Sequence, residues 1–313
     1  MKEGAEVTVL VKPDDPIKID SIKHLTNKLR IVEGDIRNPE SCEEIVRNQE
    51  VIYHLAAETQ VIFCMQRPRD AFEVNALGTL NILEGIRKFG SSPHLIHAST
   101  DKVFGEPKYL PIDEKHPFNP DSPYEVAKLA AERMVNTYHA TYGLPTTIVR
   151  WSNTIGGRDA NYLRIVPSII WPLFEGKVPV IRGDGSQIRD YMYVEDVVKC
   201  VLRITQNRKV VNGEDFNVGT GKPTSVIELA RMILRLMGYE KKVEPAVLGQ
   251  VTKGEISSQY LSSSKIREKL GFTPDTNLES ALTNTIEWSR TNQWWLKVVR
   301  RVEAYYAKQS EGY

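Results

Sequence analysis

The sequence has no long hydrophobic run and no bias toward one sign of charge. No stretch of about 18 apolar residues occurs, and the first six residues are not followed by the apolar run of a signal peptide. Basic and acidic residues nearly cancel, 41 against 40, which argues against a nucleic-acid polymer as partner. We therefore expect neither a membrane anchor nor a nucleic-acid surface.

Cysteine is also scarce. Cys42, Cys64 and Cys200 are an odd number at wide spacing and form no CxxC pair. This pattern argues against a disulfide framework and against a structural zinc site, and no other metal-ligand spacing is present. A reducing, cytoplasmic setting is therefore expected, with no bound metal.

Short β-branched runs alternate with segments of helical spacing through the first half of the chain. The predicted strands are 7–11, 29–32, 51–55, 94–98 and 146–149, and the predicted helices are 39–48, 71–89 and 122–142. Such alternation implies right-handed crossovers and a doubly wound parallel sheet. Beyond residue 155, prolines and a glycine-containing turn at 182–186 interrupt shorter elements. We expect a larger lobe over 1–155 and a smaller lobe over 156–313, with some segments of the latter returning to the sheet.

Tyr124 and Lys128 lie four residues apart on one face of a predicted helix. A nearby ammonium favours the phenolate, so the pair can take a proton from a hydroxyl. Taken alone, the spacing equally describes two helix-surface residues. Thr100 gives it context, because this residue follows a predicted strand, at the carboxyl edge where ligands of such sheets bind.

Several further motifs occur in a fixed order along the chain. They are 34–37, 54–57, 75–79, 153 and 189–196, together with Thr100, Tyr124 and Lys128. In this order they resemble the extended short-chain dehydrogenase/reductase family of NAD(P)-dependent nucleotide-sugar epimerases and dehydratases, over almost the whole chain.

The resemblance implies a role for each of these motifs. Thr100, Tyr124 and Lys128 would oxidise a sugar hydroxyl, and Asn153 and Arg189 would bind a nucleoside diphosphate sugar. The residues implied to line the cofactor are Asp35, Ile36, Leu55, Ala56, Ala57, Asn75, Tyr124 and Lys128. It also implies a dinucleotide-binding domain over 1–155, a substrate-binding lobe over 156–313, and a homodimer formed through the helices 71–89 and 122–142.

The two residues after Thr100 are Asp101 and Lys102. An acid followed by a second ionisable residue at this place resembles the 4,6-dehydratases, whereas epimerases usually have small or neutral residues there. After oxidation at C4 of the sugar, elimination needs a base for the C5 proton and an acid for the departing C6 hydroxyl. We assign Asp101 as the acid and Lys102 as the base, with the reverse division left open; alternatively Asp101 caps a turn and Lys102 is solvated.

A 4,6-dehydratase is therefore the predicted activity, with a 4-epimerase as the alternative. The family often has a second phosphate-binding arginine before its last strand, but residues 254–260 contain none. The nearest cation is Lys253, which cannot make the same forked contact. The nucleotide and the sugar stay open.

The family's opening strand and glycine loop have no counterpart in this sequence. In that loop, glycines let the backbone approach the pyrophosphate at a helix N-terminus. The first strand is central in the sheet, so without it two internal edges are unpaired. Three explanations stay open: a start about 25 to 30 residues upstream, which we favour, a degenerate relative, or a partner segment in the gap. A non-catalytic sugar-nucleotide-binding or scaffold protein is the third functional reading.

Lys12 leaves the choice of cofactor open. An acidic residue normally follows this strand and binds the ribose of NAD, whereas a lysine there can meet the 2′-phosphate of NADP. We expect NAD, with NADP as the alternative, because a dehydratase returns its hydride within one turnover.

Overall fold

A computed structural model of the chain describes residues 4–17, 20–89, 92–250 and 255–310. The strands, in chain order, are β1 Thr8–Val11, β2 Arg30–Glu33, β3 Val51–His54, β4 His94–Thr100, β5 Thr146–Trp151, β6 Asn153–Ile155, β7 Val180–Ile181, β8 Ile188–Arg189, β9 Tyr191–Tyr193, β10 Glu214–Val218, β11 Thr224–Ser225, β12 Ala246–Val247 and β13 Ser258–Gln259.

The α-helices are α1 Pro39–Val46, α2 Val61–Gln66, α3 Pro68–Phe72, α4 Gly78–Phe89, α5 Pro123–Tyr142, α6 Ile165–Phe174, α7 Val194–Gln206, α8 Val226–Met237, α9 Ser264–Leu270, α10 Leu278–Thr291 and α11 Trp295–Ser310. Two 3₁₀ turns span Lys23–Lys28 and Asp101–Phe104, and a π-helical turn spans Glu73–Leu77. Within the described ranges, no helix is long and apolar enough to cross a membrane.

The central sheet is parallel, with the strand order β10–β5–β4–β3. Its inner strands are apolar on both faces because helices cover both sides. Leu95 of β4 packs into a cluster with α4 and α5, whereas its neighbour Ile96 packs into a second cluster with α7 and α9. This is the doubly wound arrangement that the alternating sequence pattern predicts.

The sheet is interrupted where the sequence lacks a strand. β1 pairs with β2, β3 pairs with β4, and no described strand lies between β1 and β3. All four residues of β1 are only partly buried, and Tyr53 of β3 is 42% exposed, whereas Leu95 and Ile96 of β4 are buried. The prediction of two unpaired internal edges is confirmed for the described residues.

Helix α5 begins and ends where local sequence signals place it. The Ser122 hydroxyl accepts from the backbone N–H of Glu125, whose side chain accepts from the Ser122 N–H in return, and Pro123 takes the first helical position. Gly143 closes the helix with φ at 70°. The predicted helix over 71–89 is instead a run of α3, the π turn and α4, and it begins at Pro68.

The second half of the chain forms a smaller packed unit and also contributes to the sheet. Helices α6, α8 and α10 bury one cluster that includes Ile169, Ile233 and Leu282. Strand β10 returns to pair with β5, and α9 packs beside it through Ile266. The carboxyl end of β4 therefore faces elements from both halves.

Candidate active site

The residues after β4 form a tight turn at the carboxyl edge of the sheet. Thr100 accepts from the backbone N–H of Lys102 at 3.3 Å, and its hydroxyl donates to Oδ1 of Asp101 at 3.2 Å. Gly105 ends this turn with φ at 60°, where an added Cβ would overlap the carbonyl oxygen of Asn119. The turn therefore fixes Asp101 and Lys102 next to Thr100.

Helix α5 brings Tyr124 and Lys128 to the same place. The phenol of Tyr124 lies beside Thr100, whose hydroxyl acts to lower the Tyr124 pKa. One turn later, Nζ of Lys128 donates to the carbonyl oxygen of Ala98 on β4 at 2.6 Å. All five residues that the sequence predicts for the reaction thus meet at one strand end.

Burial changes the protonation of the pair that follows Thr100. Burial raises the pKa of the Asp101 carboxyl, an effect that Lys102 and Arg189 only partly oppose. Burial lowers the pKa of the Lys102 ammonium; Asp101 opposes this and Arg189 adds to it. Oδ2 of Asp101 is buried without a hydrogen-bond partner among the described residues. Each shift runs toward the neutral form of its group, which is the direction that suits a general acid beside a general base.

The predicted effect of Lys128 on Tyr124 is wrong for this structure. Burial raises the pKa of Tyr124 above its usual value, and the hydrogen bond from Thr100 offsets this only in part. The ammonium of Lys128 donates to the Ala98 carbonyl oxygen, and the residues that lower the Tyr124 pKa are instead Thr100 and Arg164. Burial also lowers the pKa of Lys128 to about 8, against the opposing effect of Glu132.

The predicted substrate residues lie on the side of the second lobe. Nη1 of Arg189 donates to the carbonyl oxygen of Ile188 at 2.8 Å, and its charge reaches both Asp101 and Lys102. The backbone N–H of Asn153 donates to the carbonyl oxygen of Asp190 at 3.0 Å. Asn153 thus lies on β6, which pairs with β9, and Arg189 lies on β8, two residues before β9. Lys253 lies outside the described residues.

The predicted adenine end lies after β1 and β2. Arg37 donates to the Asp35 carboxylate through its backbone N–H at 2.8 Å and through Nε at 3.0 Å. Ile36 packs on Gly78, where an added Cβ would lie 2.6 Å from its side chain. Lys12, which follows β1, pairs with Asp14 at 3.3 Å and lies near enough to Asp35 to lower the pKa of that carboxyl.

The loop after β3 presents an open strip. Leu55 is 66% exposed, Ala56 is exposed, and Ala57 is half-buried. Asn75 does not extend into this strip. Its side chain accepts from the backbone N–H of Glu58 at 2.8 Å and donates to the Glu58 carbonyl oxygen at 3.0 Å. Asn75 thus fixes the loop after β3 through the backbone of Glu58, and Asn75 itself lies in the π turn.

Two supports of the site were not foreseen from the sequence. Gln259 is fully buried and its Nε2 donates to the carbonyl oxygen of Asp101 at 3.0 Å. Glu132 is fully buried on α5, accepts from Ser99 at 2.9 Å and pairs with Arg150 on β5. The only sequence feature that could have indicated Glu132 is its position four residues after Lys128, on the same face of α5.

The described residues fit a dinucleotide at its two ends. The reaction centre around Tyr124 and the open strip at Leu55–Ala57 suit a nicotinamide riboside, and the loops after β1 and β2 suit an adenosine. A glycine-rich pyrophosphate cradle is not found among residues 4–17, 20–89, 92–250 and 255–310, so no residue is assigned to that group.

Comparison with known proteins places this geometry in context. A family model described as GDP-mannose 4,6 dehydratase matches residues 1–285. A putative UDP-glucose 4-epimerase of Methanocaldococcus jannaschii is 34% identical over 89% of this chain and 90% of that protein. A dTDP-glucose 4,6-dehydratase of Mycolicibacterium smegmatis is 30% identical over 93% of this chain and 88% of that protein.

A solved structure extends the likeness to three dimensions. The dTDP-glucose 4,6-dehydratase double mutant of Streptomyces venezuelae, crystallised with NAD bound, has a TM-score of 0.83 and 26% identity over 94% of this chain and 90% of that one. The chain therefore shares the overall fold of this enzyme over most of its length.

Proposed function

Because this chain belongs to the GDP-mannose 4,6-dehydratase family of nucleotide-sugar dehydratases and epimerases, we propose that it is an NAD-dependent nucleotide-sugar 4,6-dehydratase. The observation that carries the choice is the pair beside Thr100, in which Asp101 is buried and Lys102 is partly buried, and the pKa of each is shifted toward its neutral form. An oxidised sugar held there meets an acid and a base on adjacent residues, which elimination of water requires.

NAD, when bound, supplies a nicotinamide ring that accepts hydride from C4 of the sugar and returns it at C6. The phenolate of Tyr124, which the positive charge of a bound nicotinamide would favour against the effect of burial, takes the proton of the C4 hydroxyl as the ketone forms. The amine of Lys102 takes the C5 proton, which the new ketone has made acidic, and gives it back to C5 when hydride is delivered to C6. Asp101 gives its proton to the C6 hydroxyl, which leaves as water.

Two observations support NAD rather than NADP. The ammonium of Lys12 is held by Asp14 at 3.3 Å, so its charge is already partly compensated. The dehydratase of S. venezuelae, which shares this fold, was solved with NAD. On this proposal Asp35 and Ile36 hold the adenosine end, and Tyr124 and Lys128 the nicotinamide end.

For the other ligand we propose a nucleoside diphosphate sugar. Arg189 is a charge-assisted donor beside the reaction centre, where a phosphate oxygen would meet it, and Asn153 lies on the adjacent strand. The absence of an arginine in residues 255–260 leaves this site with fewer cationic donors than the family usually has. Neither observation selects the base of the nucleotide.

A homodimer is part of the proposal. Leu77, Val126 and Tyr142 are exposed apolar side chains on the helical run that contains α4 and on α5, the helices that form the dimer interface in the family. Light scattering should give twice the 35.5 kDa chain mass; a single-chain mass would contradict this part. The three buried free thiols support a reducing, cytoplasmic location.

The competing activity is a 4-epimerase, which the likeness to the M. jannaschii protein favours. An epimerase returns the hydride to C4 and eliminates no water, so it has no use for a base at Lys102. A non-catalytic sugar-nucleotide-binding or scaffold protein is the third candidate. NAD binding measured by calorimetry separates this third candidate from the other two.

Replacement of Lys102 distinguishes dehydratase from epimerase. Lys102→Met should leave hydride transfer, seen as nicotinamide absorbance at 340 nm, largely intact. It should lower release of the 4-keto-6-deoxy sugar by about 10²- to 10⁴-fold, the usual contribution of a general base. Tyr124→Phe is the matched control, because it should stop both steps. The substrates tested are dTDP-glucose, CDP-glucose, UDP-glucose and GDP-mannose. If the parent and Lys102→Met form the C4 epimer of a substrate at equal rates, the dehydratase proposal is contradicted.

A further inference from the structure

The last helix, α11, lies beyond the region that the family model matches, which ends at residue 285. One of its faces is anchored in the second lobe. Trp295 and Val299 are buried there with Ala160 and Trp171, and the indole N–H of Trp295 donates to the carbonyl oxygen of Asp159 at 3.4 Å. This anchor fixes the first turns of the helix against the second half of the chain.

From this anchor α11 reaches the loop after β1. The guanidinium of Arg301 donates to the carbonyl oxygens of Pro16 and Ile17, the latter at 3.3 Å, and pairs with Asp20. These contacts join a residue of the last helix to three residues of the loop that follows Lys12. The adenosine-side loop is thereby tied to the second lobe.

The same helix reaches the loop after β3. The hydroxyl of Tyr306 lies 3.0 Å from both carboxylate oxygens of Glu58. Glu58 is the residue whose backbone Asn75 holds from the other side. One turn further on, the side chain of Gln309 accepts from Arg67 at 2.8 Å, and Ser310 donates to Gln66 at the same distance. The strip Leu55–Ala57 is therefore held between Asn75 and α11.

We propose that α11 is a strap across the cofactor cleft, in which Arg301 and Tyr306 are positioning residues that fix the loops after β1 and β3 and slow the departure of NAD. These two loops follow β1 and β3, which belong to separate sheets among the described strands, and the contacts of α11 link the two loops from outside both sheets. The strap suits the chemistry, because an enzyme that returns its hydride within one turnover never needs to exchange its cofactor. The inference rests on the proposed function.

The test compares Tyr306→Phe and Arg301→Gln with Arg300→Gln. Arg300 is the matched control, since it sits on the same helix but pairs with Glu175 and Glu303 and touches neither loop. Hydrogen exchange of the peptides that cover 13–20 and 55–60 is measured without cofactor, and NAD affinity and dissociation are measured by calorimetry and stopped flow. Melting curves verify that each variant is folded.

The first two variants should exchange faster in both loops and lose NAD about tenfold faster than the parent, which is the effect of one lost charge-assisted hydrogen bond. The control should match the parent. Equal NAD dissociation in all four proteins overturns the strap and leaves the proposed function standing, even if exchange in the loops changes. If the parent itself binds no NAD, the proposed function fails and the strap fails with it.

Discussion

The buried ion pair beneath the catalytic helix gives a stability prediction with an internal comparison. Arg150 is shared by two carboxylates, Glu132 at 0% side-chain exposure and Asp215 at 29%. Removal of one partner of a buried pair leaves an uncompensated charge and typically costs about 3 to 5 kcal/mol. Because Asp215 stays 2.7 Å from Nη1 of Arg150, we expect Glu132→Gln to cost about 3 kcal/mol, at the low end of that range.

Asp215→Asn is the comparison. Water reaches the Asp215 carboxylate, so its loss should cost only about 1 kcal/mol, in the range of exposed pairs. Urea unfolding of the three proteins measures both values, with an unchanged slope as the sign that the denatured state is comparable. If Asp215→Asn costs as much as Glu132→Gln, burial does not set the strength of this network, and the reasoning is refuted.

Three more predictions follow from single features. Asp190 is fully buried, and burial raises the pKa of its carboxyl from 3.8 to about 6. The stability that this shift provides is complete below pH 3.8 and is lost as the pH rises through 6. Between pH 4 and pH 7 the parent should therefore lose about 2 kcal/mol of unfolding free energy relative to Asp190→Asn, and the opposite slope would contradict the assignment. Gly105→Ala should destabilise the protein far more than Gly143→Ala, because both glycines have positive φ but only an added Cβ at Gly105 meets a backbone oxygen. Gly143→Ala should cost about 1 to 2 kcal/mol of unfolding free energy in urea. Equal losses would show that the close approach of Gly105 to the Asn119 carbonyl oxygen is unimportant. A designed strand, glycine loop and helix fused ahead of residue 1 should slow hydrogen exchange of the amides of β1 and β3 by pairing with both open edges, whereas the same segment with proline in its strand should not.

The parts of the fold that local chemistry specifies could be read from the sequence. Strands β1 to β5 lie within about two residues of the predicted runs, because β-branched residues between turn formers leave few other buried conformations. Helix α5 was bounded by a capping serine and a glycine with positive φ. The gap in the sheet was also predicted, since the count of strands before β3 falls one short of the doubly wound order.

The contacts that position the site could not be read in this way. Gln259 reaches Asp101 across 158 residues, and Tyr306 reaches Glu58 across 248. In each pair the two residues are so far apart in sequence that no spacing pattern links them, and each residue by itself resembles an ordinary surface residue. Asn75 was predicted to contact the cofactor. In the structure its side-chain amide is hydrogen-bonded to the backbone of Glu58, and Asn75 lies in a π-helical turn that the sequence pattern did not indicate.

Electrostatics shows the same division. Adjacency in sequence predicted that Asp101 and Lys102 would share a site, and the direction of both pKa shifts agrees with the assigned acid and base. The spacing of Tyr124 and Lys128 predicted an activated phenol, but the structure gives the phenol a raised pKa. Sequence spacing determines that Tyr124 and Lys128 share one face of the helix. It does not determine how deeply the phenol is buried, and burial is the largest cause of its raised pKa.

The gap in the sheet separates binding from chemistry in this protein. The residues proposed to react sit at the end of β4 and on α5, where β4 is paired with β3 and β5 and α5 is capped at its start; of the β1–β2 pair, Leu10 packs against the cluster that they share. The adenosine-side residues sit on the β1–β2 pair, which packs through Ile36 on Gly78 and is tied by Arg301 to the last helix. A defect at the gap should therefore weaken NAD affinity and leave the geometry of Thr100, Asp101 and Tyr124 unchanged. Saturating NAD should then restore turnover to a protein with weak binding, whereas no concentration of NAD should rescue Tyr124→Phe.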